Sequence, residues 1–509
     1  MDSFLAWENP SVLDCDRMRF YITTAIDYPN GRPHMGHAYE KVITDVYARW
    51  NRMLGRETFF LTGTDENGQK LIKAAEEAKE ETLSYVDRQV DVFRDLCRSL
   101  KISNDDFIRT SEPRHHKVVQ WLWKRLDDRG EIYQGDYEGW YCLACENFYT
   151  EMQAEDMKCP VHQSPLEKVK EKGYFFRLSK YESWIKEYIA ENESFIVPNS
   201  ARKEMLQRIK SDPIRDLSVS RPNAGWGIPV PGDEKYVVYT WFDALINYYT
   251  AVKDKSFWPA QVHVIGKDIT WFHTIIWPAM LKAADLEIPE QIYVHGMVLG
   301  QDGRKMSKSL GNGVDPLEVI ANFPIDSFRY YLLRAIPSGQ DGAFVTQDLV
   351  MRHNNELAND YGNLLMRVVK LTMKKFGTEI TPETVANKLN LDKLGDEMQD
   401  AMERREHHRA LEKLWEKVNE INLYLNQEEP WKIKDDPGKL KEVLYNALSG
   451  IQVVGFYVKA FMPNVSQKTL ESLGCPETTQ ADLVFGKQTF QLSEPEMIFP
   501  KIEVASADA

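Results

Sequence analysis

The stretch RFYITTAIDYPNGRPHMGHAYEKVITDVYARW, residues 19–50, changes its hydrophobic period partway along, and that change sets the fold. Residues 19–26 (RFYITTAI) are a short apolar run rich in β-formers and read as a buried strand. Turn chemistry follows in Tyr28-Pro29-Asn30-Gly31-Arg32-Pro33. A helix then opens near His37, with Val42, Val46 and Trp50 recurring at helical spacing and Ile43 and Tyr47 beside them. Next come a second strand, TFFLTG (58–63), and a second amphipathic helix over 83–102. Strand–helix–strand–helix at these lengths predicts a parallel sheet with crossover helices.

From about residue 121 to 234 the alternation breaks into aromatic, Gly- and Cys-rich stretches. It resumes with YVVYTWF (236–242), AQVHVIG (260–266), a helix over 269–283 and QIYVHG (291–296). The simplest organisation is one α/β domain, Rossmann-like, split by an insertion. Its first half is 1–120, the insertion 121–234, its second half 235–300, and a linking segment spans 301–345. After about 345 strands give way to long amphipathic helices up to roughly 464, so 346–509 is expected to be an all-α bundle.

The chain has 509 residues, 43% hydrophobic and 28% charged, and a net charge of −14. That balance excludes a broadly basic nucleic-acid coat, so any RNA contact must concentrate Lys and Arg locally. No apolar run reaches the ~18 residues a membrane span needs, and the first twenty residues lack a signal-peptide core. A cytoplasmic, reducing setting is expected, and six unevenly scattered cysteines do not suggest a disulfide framework. Cys97, in the series Val86, Val90, Phe93, Cys97, Leu100, reads as core.

Four groups of residues carry chemistry. Pro33-His34-Met35-Gly36-His37 sits at a helix start, where two histidines, backbone N–H groups and the helix dipole can face one anion. Gly36 leaves room for a base or phosphate, although loop histidines are more often plain surface residues. Gly303-Arg304-Lys305-Met306-Ser307-Lys308-Ser309 places two lysines three apart in a Gly-flanked loop, either a mobile clamp on a polyphosphate or a solvated basic turn. Cys142-Leu143-Ala144-Cys145 and Cys159-Pro160-Val161-His162 are two pairs thirteen residues apart, enough for one closed tetrahedral zinc in a knuckle spanning about 140–165. A redox dithiol at Cys142/Cys145 would leave Cys159 and His162 unused. Finally, Asn363, Arg367, Lys370 and Lys374 fall within about 60° of arc on one helical face, beside an apolar stripe of Leu364, Val368 and Leu371. That ridge is either a solvated face or a contact for a nucleic-acid backbone or base edge.

The paired motifs His34-Met35-Gly36-His37 and Lys305-Met306-Ser307-Lys308-Ser309, some 270 residues apart, resemble the two signatures of class I aminoacyl-tRNA synthetases. Met35 stands where Ile is commoner, a volume-tolerant exchange. Across most of the chain, YITTAIDYPNGRPHMGHAY, FLTGTDENGQK, YTWFDALINYY, IGKDITWFHTIIWPAMLKA and HGMVLGQDGRKMSKSLGN are similar to successive blocks of bacterial-type methionyl-tRNA synthetases with a one-zinc knuckle. The resemblance implies activation of L-methionine with ATP and its transfer to the 3′-terminal adenosine of tRNA(Met). It implies that Ala25, Ile26, Tyr28, Asp65, Trp241, Ala244, Tyr248, Ile269 and His273 surround methionine, Asp65 taking the ammonium. ATP would meet His34, Gly36, His37, Gly266, Lys267, Lys305, Met306, Ser307 and Lys308, with His34, His37, Lys305 and Lys308 acting in catalysis and Mg²⁺ arriving on ATP. Cys142, Cys145, Cys159 and His162 would hold one structural Zn²⁺. Asn363, Arg367 and Trp431 would read the anticodon, Trp431 by stacking on an unstacked base. Asp27 and Asn67 depart from the commoner family residues.

The competing readings are weaker. Valyl, isoleucyl and leucyl enzymes carry a larger editing insertion than roughly 115 residues, and cysteinyl enzymes place zinc in the substrate pocket. A non-catalytic tRNA binder would not need the histidines, lysines and Asp65. A free-standing nucleotidyltransferase leaves the helical domain unexplained. Trp271 is expected in the core, and a monomer without membrane contact is expected, since no dimerisation module is evident.

Overall fold

The computed structural model describes residues 19–142, 147–149, 157–159, 165–306, 312–382 and 386–503. It divides into two compact units. Residues up to Pro33, Thr58–Arg98 and Ser103–His295 form the first; His34–Glu57, Ser99–Ile102 and the chain from Gly296 form the second.

In the first unit the apolar run at the start becomes β1 (Arg19–Thr24), buried from Phe20 onward. Helix α1 (Met35–Met53), which belongs to the second unit, separates it from β2 (Glu57–Thr64). Two helices, α2 (Gln69–Ala78) and α3 (Thr82–Ser99), lead to β3 (Asp106–Arg109), and α4 (Pro113–Asp128) follows. Then the chain enters antiparallel structure: β4 (Ile132–Cys142) pairs with β5 (Asn147–Tyr149) and β6 (Glu167–Phe176). After β7 (Ile196–Val197), β8 (Leu217–Ser218) adds to that sheet. A small antiparallel sheet holds β9 (Ser220–Pro222), β10 (Pro229–Val230) and β11 (Asp233–Val238). With β12 (Val262–Gly266) and β13 (Ile292–His295) the main sheet has the order β3-β2-β1-β12-β13-β7.

The pairings β1–β12, β12–β13, β13–β7 and β2–β3 are all parallel, as the alternation of strands and helices predicts. Helices cover such a sheet on both faces, and its central strands therefore read as continuous apolar runs. The order reverses between β1 and β12, the kind of switch point where open α/β sheets bind ligands at the carboxyl ends of their strands. Cys97 is buried in α3, as expected.

The helix opens at Met35, near His37 as expected, with His34 as its cap. Two local expectations are corrected. YVVYTWF is strand only to Val238, lies in the small antiparallel sheet, and turns into a helix at Thr240–Leu245. A short apolar run does not reveal its own period, so tertiary burial decides. The segment 269–283 is one path in three pitches: a 3₁₀ turn Lys267–Ile269, a π-helical turn Phe272–Ile276, and an α-helix Trp277–Ala283. Pro278, which offers no N–H and crowds the carbonyl four residues back, explains the widened turn before it.

The second unit is helical, with Ile325–Ala335, Asn363–Phe376, His407–Glu428 and Pro437–Tyr457 among its longer members. α1 belongs to this unit and is buried on nearly every side, Lys41 and Asp45 included. Asp45 forms an ion pair with the fully buried Arg329 at 2.7 Å. The same guanidinium donates to the carbonyls of Phe461 (2.8 Å), Leu100 (3.0 Å) and Ala460 (3.3 Å). Trp50 donates to Gln399 at 2.8 Å and stacks on Tyr457. Among the described residues no helix is long and apolar enough to cross a membrane.

Candidate active site and RNA-reading face

The carboxyl ends of β1 and β2 are laced together past the strands. Asp27 N–H donates to Gly63 O (2.9 Å) and Asp65 N–H to Asp27 O (2.8 Å), which sets Asp65 beside the segment Ala25–Asp27. Gly63 is needed there, because a Cβ would lie 2.0 Å from the Ile108 carbonyl oxygen. The loop after β2 is pinned from the other side. Thr240 donates to Asn67 O, Trp226 Nε1 to Glu66 O (2.7 Å), and Asn67 itself donates to Thr110 O (3.2 Å). The two unusual residues, Asp27 and Asn67, thus serve in the scaffold of this loop.

Asp65, Ala244, Tyr248 and His273 are buried, while Ala25, Ile26, Trp241 and Ile269 are half-buried and pack on the same core. Tyr248 and His273 meet at 2.7 Å, and His273 Nδ1 lies 3.0 Å from Ile269 O. A carbonyl only accepts, so Nδ1 carries the proton and Nε2 accepts from the Tyr248 hydroxyl. Burial pushes the His273 pKa down to about 4, against a smaller raising effect of the Ile269 bond. Trp241 packs edge-on to His273 at 6.3 Å. Tyr28 departs from the group: it leans on the separate cluster around Leu71 and Ala75, with Lys70 over its ring.

Several neighbours were not singled out from the sequence. Phe272 stacks flat on Trp241, centroids 3.8 Å apart. His263 lies against the Tyr248 ring at 4.1 Å, accepts from Trp277 Nε1 (3.4 Å), and donates through Nδ1 to Thr23 Oγ1 (2.8 Å). A histidine inside the apolar strand VHVIG, and a tryptophan four residues after His273, were the available signals. Trp271, expected in the core, is half-buried with Arg208 over its ring at 4.3 Å.

At the start of α1, His34 Nδ1 accepts from Gly36 N–H and His37 Nδ1 accepts from His34 N–H, both at 3.1 Å. The rings stack at 3.6 Å. The space at Gly36 is taken by the His34 ring itself, since a Cβ would lie 2.9 Å from its Cε1. With both Nδ1 atoms accepting, neutral rings carry their protons on Nε2. Burial, then His34 and Lys41, hold the His37 pKa well below its usual value. His34, His37 and Lys305, far apart in sequence, fall in the same compact unit. Lys305 is exposed, and its backbone is tied by a bridge to Leu299 and by Asn312 at 3.3 Å. Met306 follows half-buried, whereas Ser307 and Lys308 lie outside the described residues. In the first unit Gly266 ends β12 and Lys267 opens the next turn, exposed.

Cys142 closes β4 and packs with Cys159 and Leu166 in a small core under Trp140, both thiols fully buried. Cys145 and His162 lie outside the described residues. On Asn363–Phe376 the expected face is present: Asn363, Arg367, Lys370 and Lys374 are exposed, Leu364 and Val368 buried, and Leu371 half-buried. Arg367 lies over the ring of Trp431 at 5.6 Å, and Trp431 is 43% exposed. Lys370 pairs with Glu494 at 3.1 Å.

Residues 20–168 and 155–369 match the family model described as class I tRNA synthetases (M), and 379–508 match the anticodon-binding domain of methionyl tRNA ligase. A methionine–tRNA ligase of Caldanaerobacter subterraneus is 42% identical over 95% of this chain and 79% of its own length. That of Brucella melitensis is 39% identical over 95% and 98%. The Mycobacterium tuberculosis methionyl-tRNA synthetase in complex with methionyl-adenylate superposes with a TM-score of 0.91 at 35% identity, covering 95% of this chain and 99% of that one. Its free state gives 0.85 at 31% identity, over 96% and 98%.

A pKa near 4 for His273, against an ordinary 6.5, makes the unfolded chain bind the proton first as pH falls. Its contribution to stability is complete above pH 6.5 and is lost between 6.5 and about 4. Urea midpoints should therefore fall across that window, and less steeply in His273→Gln; equal slopes would contradict a buried neutral imidazole.

Proposed function

We propose a residue-level account of catalysis on the premise that this chain belongs to the methionyl-tRNA synthetase family of class I enzymes. The reaction activates L-methionine with ATP, giving methionyl-adenylate and pyrophosphate, and then transfers methionine to the 3′-terminal adenosine of tRNA(Met). The observation that carries the residue assignment is the buried, neutral Tyr248–His273 pair beside Trp241. It offers an uncharged wall with aromatic faces, which suits an unbranched polarizable thioether; sulfur–aromatic contacts contribute about 0.3–1.5 kcal/mol. Ala25, Ile26, Ala244 and Ile269 complete the walls, Tyr28 flanks them, and the Asp65 carboxylate receives the ammonium.

The methionine carboxylate attacks the α-phosphorus of ATP, and the bond to pyrophosphate breaks. Such a step depends on positioning and charge stabilisation and needs no protein nucleophile. His34 and His37, at a helix N-terminus, donate to phosphate oxygens. Lys305 and Lys308 neutralise charge on the departing pyrophosphate. Gly36, Gly266, Lys267, Met306 and Ser307 line the nucleotide, and Mg²⁺ arriving with ATP screens its phosphates. The terminal adenosine hydroxyl of tRNA then attacks the activated carbonyl, the acyl–phosphate bond breaks and AMP leaves with the hydroxyl proton released, while Asn363, Arg367 and Trp431 read the anticodon.

Cys142, Cys145, Cys159 and His162 would hold one structural Zn²⁺, and two thiols buried together at the end of β4 fit that role. Four protein ligands leave no open position, so the metal would cross-link the antiparallel sheet rather than touch substrate.

Pyrophosphate exchange with methionine, valine, isoleucine, leucine and cysteine in turn tests the pocket. Exchange with methionine alone is expected, and His37→Ala or Lys305→Ala should each lower it by roughly 10²–10³-fold; exchange with another of the five would overturn the slot assignment. Metal analysis should give one zinc per chain, lost in Cys142→Ser with exchange largely retained. A metal content unchanged by that substitution would remove Cys142 from the ligand set.

A further inference from the structure

Arg367 sits on the exposed face of the helix Asn363–Phe376, and a long exposed arginine ordinarily samples many rotamers. Its guanidinium is nevertheless located. Among the described residues it has one hydrogen-bond partner, the side-chain oxygen of Asn422, 3.1 Å from Nη2. Asn422 belongs to the helix His407–Glu428, 55 residues away, and is half-buried.

The orientation of the Asn422 amide is fixed from behind. Its Nδ2 donates to Asp360 O at 2.9 Å and to Val418 O, in its own helix, at 3.2 Å. A flipped amide would set an oxygen against two carbonyl oxygens, so the acceptor must point to Arg367. Asp360 lies in the π-helical segment His353–Gly362, which runs straight into the helix that carries Asn363 and Arg367. Asn422 therefore ties three things together: the π-helical segment, its own helix and the arginine head.

The chemistry of the partner matters. A carboxylate would also hold a guanidinium, but it would cancel the charge and occupy two donors in a bidentate fork. A neutral amide oxygen takes one of the five N–H donors and leaves the charge intact. With Arg367 also lying over Trp431 at 5.6 Å, the guanidinium is held on one edge and one face. Among the described residues no partner takes its remaining donors, which can serve a base or phosphate beside the aromatic ring. Lys370, by contrast, is already engaged by Glu494.

We propose that Asn422 is a positioning residue for RNA reading: it presents the Arg367 guanidinium, oriented and un-neutralised, to an unstacked base of the anticodon. This rests on Arg367 and Trp431 contacting the anticodon. Asn422 touches no RNA in this role and acts through Arg367.

The test is aminoacylation by Asn422→Ala, Arg367→Ala and the double variant, with tRNA(Met) transcripts of native and substituted anticodon. Methionine-dependent pyrophosphate exchange and thermal melts serve as controls. Alanine favours helix more than asparagine does, so the helix is retained. Asn422→Ala should lower kcat/KM for the native transcript roughly tenfold, the scale of one hydrogen bond to a charged group. The loss should fall on KM, narrow the preference for the native anticodon, leave exchange unchanged, and vanish in the Arg367→Ala background. An equal loss with and without Arg367 would make Asn422 merely structural and overturn the proposal. So would an unaffected Asn422→Ala beside an impaired Arg367→Ala. If Arg367→Ala itself keeps full anticodon preference, the underlying reading of that face fails.

Discussion

A buried ion pair governs the second unit. Asp45 and Arg329 are both without side-chain exposure, and their contact places one charge from α1 against one from the helix Ile325–Ala335. Taking two such charges out of water is costly, and the arrangement holds because the guanidinium also has three carbonyl acceptors. Asp45 is also paired with Arg49 at 2.7 Å, so the charge that removal of Asp45 would strand is that of Arg329, and breaking such a buried pair typically costs about 3–5 kcal/mol. The geometry therefore admits little drift of α1. His34 caps that helix and His37 lies in its first turn, so the charge pair in its middle anchors the element that carries both histidines. Trp50, bonded to Gln399 and stacked on Tyr457, holds the far end.

The same tautomer logic recurs at three histidines. His34 and His37 use Nδ1 as acceptors within the cap, which leaves the proton of a neutral ring on Nε2, and His273 uses Nδ1 on Ile269 O, which turns Nε2 toward Tyr248. Each ring's tautomer is set by a hydrogen bond on its other nitrogen. Burial holds the His37 pKa well below its usual value and pushes that of His273 down to about 4, so both rings are uncharged at neutral pH.

Much of this was legible in the sequence, for identifiable reasons. The parallel sheet followed from the switch of period between residues 19 and 50, and the exposed and buried faces of Asn363–Phe376 followed from spacing alone. Family resemblance, rather than pattern, supplied the residues expected around methionine. What stayed hidden depends on contacts between distant segments. The helical turn at Thr240–Leu245 was masked because WFDAL after YVVY has no period of its own over so few residues. The His34 ring over Gly36, the support of Tyr248 by His263 and the acceptor behind Arg367 are three-dimensional pairings that spacing cannot encode. Arg329 read as one more charged residue in a helix; only its burial reveals its weight.

The most direct measurement is the single-turnover rate of methionyl-adenylate formation in Arg329→Lys, alongside methionine binding by titration. Lysine keeps the charge but cannot span Asp45 and three carbonyls at once. If the clamp on α1 sets the aim of the histidines, the rate falls at least tenfold while methionine affinity holds; displacements of about 1 Å can cost ~10²-fold. An unchanged rate, or a loss of methionine affinity in the same proportion, would contradict that account.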